Sequence, residues 1–539
     1  MAVLGCLLFV VSYSVAWLGV PKLSMMTHGE VDLNFGNVPV PSERTREWAG
    51  RSAMLDSVVA GLAGRQRGRL EFGTKGVDHL LCQLAAGRNV EAVNQVLQEA
   101  QPWGKVGSGH DYDFALCGLT VMLYHFGERP ELLYPETVDH IVWTLMTEKG
   151  GEQAENPDAR GLLSMRDTEN HVLMTEGSRF LTNQWIAESG NKDPEYDNTR
   201  NGQEAWLLGY LKGLERAGIH EYNSIPYEGY TLRALLNLAS FGKGPVAESS
   251  RRILDRMTWD FALGSLSLRR YAPFRRQPGR AGETRLDCHY QTAMMKGWMS
   301  LAGVEGLEVR NAERHAMWVG LTGYRPPDVV VDWALSKPGD YFVRIGHGGD
   351  GSPEIYSGGP GYLISAGGEA GDLLRYCVAR PTTLMLEDGA DELKQLLHLS
   401  GLGSDYRRWN HTGVHRRFAV AAGPVWVPDG WSPVIKRDGW LFYERAGKRI
   451  AVFSTGQFGL FCLMREEGDF AGEAARLVAE NGDAEELKRV FRWPDGPVLS
   501  YDVAAKKSEW VMVSVDGNAL DRAHGKWPLM QGELPAEPQ

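Results

Sequence analysis

Cysteine and net positive charge are both scarce in this sequence. The six cysteines in 539 residues (Cys6, Cys82, Cys117, Cys288, Cys377 and Cys462) stand far apart, with no Cys-x-x-Cys pair and no histidine at metal-ligand spacing. That excludes a zinc module and a disulfide framework and leaves buried thiols as the reading. Lys and Arg total 57 against 68 Asp and Glu, a formal charge of −11, which argues against a nucleic-acid partner. No fixed period repeats along the chain, so a TPR-like array is excluded. No apolar run after the first 20 residues is long enough to span a bilayer.

Apolar and aromatic residues are plentiful. Hydrophobic content is 43%, with 17 Trp, 19 Tyr and 17 Phe, so the chain is folded and, at this length, has more than one domain. Aromatic rings suit stacking on sugar C–H faces and suit a large core equally. The opening MAVLGCLLFVVSYSVAWLGV contains no charged side chain, and Lys22 follows. Ser14-Val15-Ala16 offers small residues to a signal peptidase, so residues 1–20 read as a secretory leader and the expected location is secreted or periplasmic. The run lacks the usual basic start, which keeps an N-terminal membrane anchor as the alternative. Asn410-His411-Thr412 forms one glycosylation sequon.

From about 50 to 322 the pattern is helix after helix, near 52–63, 77–86, 89–100, 111–126, 135–147, 170–188, 201–217, 228–241, 246–263, 288–302 and 310–320. Tyr324-Arg325-Pro326-Pro327 ends this pattern. Short β-branched or alternating runs follow, among them Val329–Trp333, Tyr341–Ile345, Gly361–Ser365, Trp440–Glu444, Ile450–Ser454 and Gly459–Leu463, with one helical insertion near 471–491. The expected fold is α+β and multidomain. An N-terminal (α/α) toroid of helical hairpins over 45–325 would precede a C-terminal antiparallel β-sandwich over 328–530.

Two segments carry candidate chemistry. Arg166-Asp167-Thr168-Glu169-Asn170-His171 leads into VLMTEGSRFLTNQW, with Thr168 or Asp167 as N-cap and Asn170 and His171 in the first helical turn, where an anion is favoured. His220-Glu221-Tyr222-Asn223-Ser224-Ile225-Pro226-Tyr227-Glu228-Gly229-Tyr230 forms a loop between two helices. Asn, His, Tyr and Arg are what β-elimination from a uronic acid requires. An amide or cation offsets the carboxylate charge and stabilises the enolate, a His or Tyr takes the C5 proton, and a Tyr protonates the leaving O4. Basic clusters at Arg269, Arg270, Arg275, Arg276, Arg280 and Arg285, and at Arg407, Arg408, His411, His415, Arg416 and Arg417, could focus an anionic ligand or lie as solvated loops.

The Asn-His pair at a helix start, followed about fifty residues later by a His/Tyr-rich loop, resembles the chondroitin AC/alginate lyase superfamily. Ser352-Pro353-Glu354-Ile355-Tyr356 and Tyr362-Leu363-Ile364-Ser365-Ala366-Gly367-Gly368 resemble segments of heparinase-like members. The resemblance implies a polysaccharide lyase with Asn170 as carboxylate neutraliser and His171 or His220 as base or orienting residue. Tyr222, Tyr227 or Tyr230 would transfer the proton, with Arg280 or Arg285 as substrate clamp and Glu169, Asn223 and His289 as further substrate contacts. It implies an anionic polysaccharide as partner, with no cofactor, no metal and no obligatory protein partner.

Other readings stand beside this one. Asn170 and His171 suit a capped, buried helix start, the three tyrosines suit packing, and His289-Tyr290 suits a core pair. His110-Asp111-Tyr112-Asp113 suits a cap. A glycoside hydrolase would draw its two carboxyls from Asp111, Asp113, Glu169, Glu176 and Glu221. A non-catalytic exported glycan-binding protein would keep the scaffold alone.

Overall fold

In a computed structural model, residues 33–65, 70–74, 76–102, 112–146, 168–349, 351–368, 377–399 and 409–535 are described, with the backbone alone at 159–160 and 163–164. Helices dominate the N-terminal half and antiparallel sheets the C-terminal half. The helices include Ala53–Arg65, Gly76–Ala85, Val90–Glu99, Tyr112–Phe126, Glu169–Glu188, Gln203–Ala217, Tyr227–Phe241, Gly244–Leu263, Tyr290–Leu301 and Glu313–Gly320. Neighbours in sequence pack against one another, and Ala53–Arg65 packs on Glu313–Gly320, so the helical half returns on itself. Close approach is built in at Gly177, where a side chain would press on Leu238 of Tyr227–Phe241.

A seven-stranded antiparallel sheet follows, containing Tyr341–Ile345, Glu354–Gly359, Tyr362–Gly367, Thr383–Leu386 and Leu397–Leu399, and Gln531–Glu533 pairs with Tyr341–Ile345 at its edge. The two-residue strand period sorts its side chains between two cores. Tyr341, Val343, Ile345, Tyr356, Leu363 and Met385 join the core of the helical half. Phe342, Ile355, Tyr362, Ile364, Leu384 and Leu386 join a second core, shared with a six-stranded sheet that contains Trp440–Arg445, Lys448–Ser454 and Gly459–Leu463. Burial on both faces explains why the strands of the seven-stranded sheet are so apolar.

Several contacts fix the halves to each other. Phe274–Arg275, from the helical half, pairs antiparallel with Cys377–Val378. Gly264 lies against the Tyr356 ring. The Tyr341 hydroxyl donates to the Leu263 carbonyl at a helix end.

The structure departs from the sequence reading in several places. Val329–Trp333, expected as a strand, lies within the helix Asp328–Leu335. Val330, Val331, Trp333 and Ala334 are buried at helical spacing in the first core, so packing overrides β-branched propensity. The helical half therefore continues past residue 325. The insertion helix covers Phe470–Glu480 alone, and the strand Val490–Arg492 follows it. Thr168 occupies the N-cap of Glu169–Glu188 without a side-chain capping bond, because its Oγ1 accepts from the Asn170 amide at 3.0 Å. Cys82, Cys117, Cys288 and Cys462 are buried free thiols, and Cys377 is buried beside Tyr222. The expected leader or anchor at residues 1–20, Cys6, Asp111, Asp167, Arg407 and Arg408 lie outside the described residues. Among the described residues no helix is long and apolar enough to cross a membrane, and this corrects the expectation for localisation.

Candidate active site

The loop from His220 to Pro226 is held from three sides. Gly218, at φ 81°, turns the chain out of Gln203–Ala217, and Asn223 adopts φ 52°, a left-handed conformation that Asn tolerates. The Arg275 amide donates to the Tyr222 carbonyl at 3.0 Å, and the Tyr290 amide to that of Ile225 at 3.0 Å. Gly229 then lets Tyr227–Phe241 approach Tyr290 and His315, where a Cβ would collide with both.

One side of this loop gathers charged groups around Glu221. The Asn170 amide donates to the Glu221 carboxylate, and Arg276 Nη1 donates to Glu221 Oε1 at 2.9 Å. Glu169 accepts the Glu221 backbone N–H at 2.6 Å. Burial pushes the Glu221 carboxyl up to about 7; Arg276 opposes the shift and Glu169 adds to it. The Arg276 guanidinium lies 5.1 Å over the Tyr227 ring, whose hydroxyl accepts from Gln277 at 3.1 Å. His171 Nδ1 pairs with the buried Asp113 carboxylate, and Phe114 meets the imidazole edge-on at 5.7 Å. Among the described residues the buried Asn170 Oδ1 has no hydrogen-bond partner.

The other side joins the two halves of the chain. The Tyr222 ring stacks on His347 with centroids 3.6 Å apart and planes at 9°. The Tyr222 hydroxyl accepts the Ser352 N–H at 3.0 Å and lies 3.7 Å from Cys377 Sγ. His347 Nε2 sits 2.7 Å from Glu354 Oε1. Glu354 Oε2 accepts from Asn223 at 2.6 Å and from the Tyr356 hydroxyl, and Arg270 lies 3.5 Å away. Burial would raise Glu354, but the bond to His347 and the Arg270 charge hold it below the ordinary carboxylate range. Burial lowers His347 despite Glu354. A neutral His347 bonded through Nε2–H to an ionised Glu354 leaves its Nδ1 unprotonated, the form a general base needs. A cavity of about 360 Å³ opens beside Tyr222, Asn223, His347 and Glu354.

The structure brings Glu169, Asn170, His171 and Tyr227 together around Glu221 and its neighbours, and it places Tyr222 and Asn223 on the His347–Glu354 side. His220 is half-buried in the turn ahead of Glu221. Tyr230 packs edge-on against Phe114 at 4.4 Å and His315 at 5.2 Å, beneath the Arg233 guanidinium. His289 is buried, and burial with the Arg270 and Arg380 charges keeps it far below its usual pKa. Of the clamp candidates, Arg280 is exposed on the turn Pro278–Gly282 and Arg285 lies beside Glu283 at 3.5 Å, whereas Arg276, which was not among them, reaches Glu221. In the second basic cluster, Arg417 pairs with Asp340 at 2.7 Å and Arg416 with Glu533.

Sequence reasoning gave no role to His347, named Glu354 only within a segment that carries the family resemblance, and placed Arg270 only in a basic cluster. A signal existed for Glu354, which with Tyr356 places two polar-tipped side chains on one face of an otherwise apolar strand. Among the described residues no group of three His, Cys, Asp or Glu side chains is placed to hold a metal ion. Comparison with known proteins returned no matching family model, no matching curated protein and no matching solved structure.

Proposed function

We propose that this protein is a polysaccharide lyase that cleaves a uronic-acid-containing polysaccharide by β-elimination, its helical half an (α/α) toroid and its paired sheets a β-sandwich. The observation that carries the reading is the stacking of Tyr222 on a neutral, carboxylate-bonded His347, one residue from the Glu221 that Asn170 and Arg276 hold. Asn170 and Arg276 offer an amide and a guanidinium to the uronate carboxylate, and a protonated Glu221 releases them and adds a donor of its own. His347 takes the C5 proton. The C5–H electron pair forms the C4=C5 bond, the C4–O bond breaks, and O4 receives its proton from Tyr222, whose phenol burial holds well above its usual pKa.

Hydrolysis is a second reading, favoured by the two buried carboxyls Glu169 and Glu221 beside each other, with Glu221 raised to about 7. Its weakness is that Glu169 is already engaged by the Glu221 backbone. Under the lyase reading, Asn170→Ala lowers turnover on a uronate polymer about 10²-fold or more while the thermal melt is retained. Turnover near the wild-type level removes Asn170 from the mechanism.

A further inference from the structure

The cavity beside Tyr222 is bounded by the helices Gln203–Ala217 and Gly244–Leu263 and by the segment around Val40–Ser42. At about 360 Å³ it falls within the range of small-molecule sites. Its lining has two characters. Val40, Ile219 and Ile253 present an apolar wall, whereas Glu228, Asp260 and Asn223 present polar groups. Glu228 is 5% exposed, and its Oε2 has no hydrogen-bond partner among the described residues; Asp260 Oδ1 is in the same position. A buried carboxyl oxygen left in this way has a hydrogen bond still to make with something outside the chain, a sugar hydroxyl or a water.

The charges narrow the ligand. Arg252 lies 2.9 Å from Glu215, Arg256 lies 3.6 Å from Asp260, and Arg44 pairs with Asp255, so each guanidinium charge already faces a carboxylate, and the buried Arg256 Nε, without a hydrogen-bond partner among the described residues, can be met by a neutral hydroxyl. A cation gains little, because burial pushes Glu228 up to about 8 and keeps it protonated near neutrality, while Asp260 already faces the Arg256 charge. A protonated carboxyl donates and accepts at once, as a sugar hydroxyl does. We propose that this cavity binds a neutral pyranose, its C–H face on the Val40–Ile219–Ile253 wall and its hydroxyls on Glu228 and Asp260. Tyr222 and His347 line the same cavity, so the inference rests on the proposed lyase reading, with the neutral sugar as the neighbour of the reacting uronate.

Saturation-transfer NMR on the full chain tests this with glucose, galactose and N-acetylglucosamine as probes. The expected result is transfer to at least one of these sugars, with the signal lost in Glu228→Leu and in Ser42→Trp. Ser42 is exposed at the cavity mouth, so Ser42→Trp blocks entry without burying new polar groups and keeps the test decisive if Glu228→Leu fails to fold. No transfer to any of the three sugars, or a signal unchanged in Ser42→Trp, overturns the proposal.

Discussion

At the scale of single residues, Tyr222, Tyr227 and Tyr230 differ in what surrounds them. Tyr222 stacks on His347 and lines the cavity, Tyr227 lies under Arg276, and Tyr230 is wedged between rings of the helical core. Under the proposed lyase mechanism, Tyr222→Phe lowers turnover by about 10²–10⁴-fold, while Tyr230→Phe leaves it near the wild-type level. Steady-state rates on the same uronate polymer decide this, and two equal effects contradict the assignment. Glu221 gives a second expectation. With its carboxyl near 7, activity falls as pH rises through that value because the ionised form keeps Asn170 and Arg276 for itself. In Glu221→Gln that alkaline limb flattens, and an unchanged pH profile removes Glu221 from substrate release and capture. Asn170 and the tyrosine loop were legible from residue type and spacing. His347 was not, because its role depends on a strand pairing that joins residues far apart in the chain.

At the scale of elements, close packing around the site depends on Gly229, and Gly209 in open surroundings gives the contrast. A Cβ at Gly229 collides with Tyr290 and His315, whereas one at Gly209, in Gln203–Ala217, meets nothing within 4 Å. Gly229→Ala therefore costs about 1–3 kcal/mol of stability by overpacking. Gly209→Ala gains about 0.5–1 kcal/mol by restricting the unfolded chain. Denaturant midpoints measure both, and equal signs for the pair contradict the packing described. The helices were legible because their apolar periodicity is long and broken by Gly and Pro. The expected 170–188 and 228–241 coincide closely with Glu169–Glu188 and Tyr227–Phe241. Glu354–Gly359 and Thr383–Leu386 were missed because strands buried on both faces lose the alternation that marks a half-exposed strand. Val329–Trp333 misled for the converse reason, since a short β-branched run fits a buried helix face equally well.

At the scale of the whole molecule, the junction of the two halves buries carboxyls that resist ionisation. Glu228 moves from an ordinary 4.5 to about 8, Glu221 from 4.5 to about 7, and Asp260 from 3.8 to about 6, burial being the main cause of each shift. The folded protein therefore retains protons that the unfolded chain has released. The stabilisation from these groups is complete below the unfolded values and is lost as pH rises through about 6 to 8. Melting temperature is expected to decline from pH 5 to pH 9, with a shallower decline in Glu228→Gln. A variant that follows the wild-type slope assigns the decline to other groups.

The central claim is the chemistry at the Tyr222–His347 pair, and the near-ultraviolet absorbance of an unsaturated uronate tests it most directly. Purified protein is mixed in turn with alginate, glucuronan, hyaluronan, chondroitin and heparan. The account predicts rising absorbance on at least one polymer and its loss in Asn170→Ala and Tyr222→Phe. New reducing ends without that absorbance, or neither product from any of the five, would contradict it.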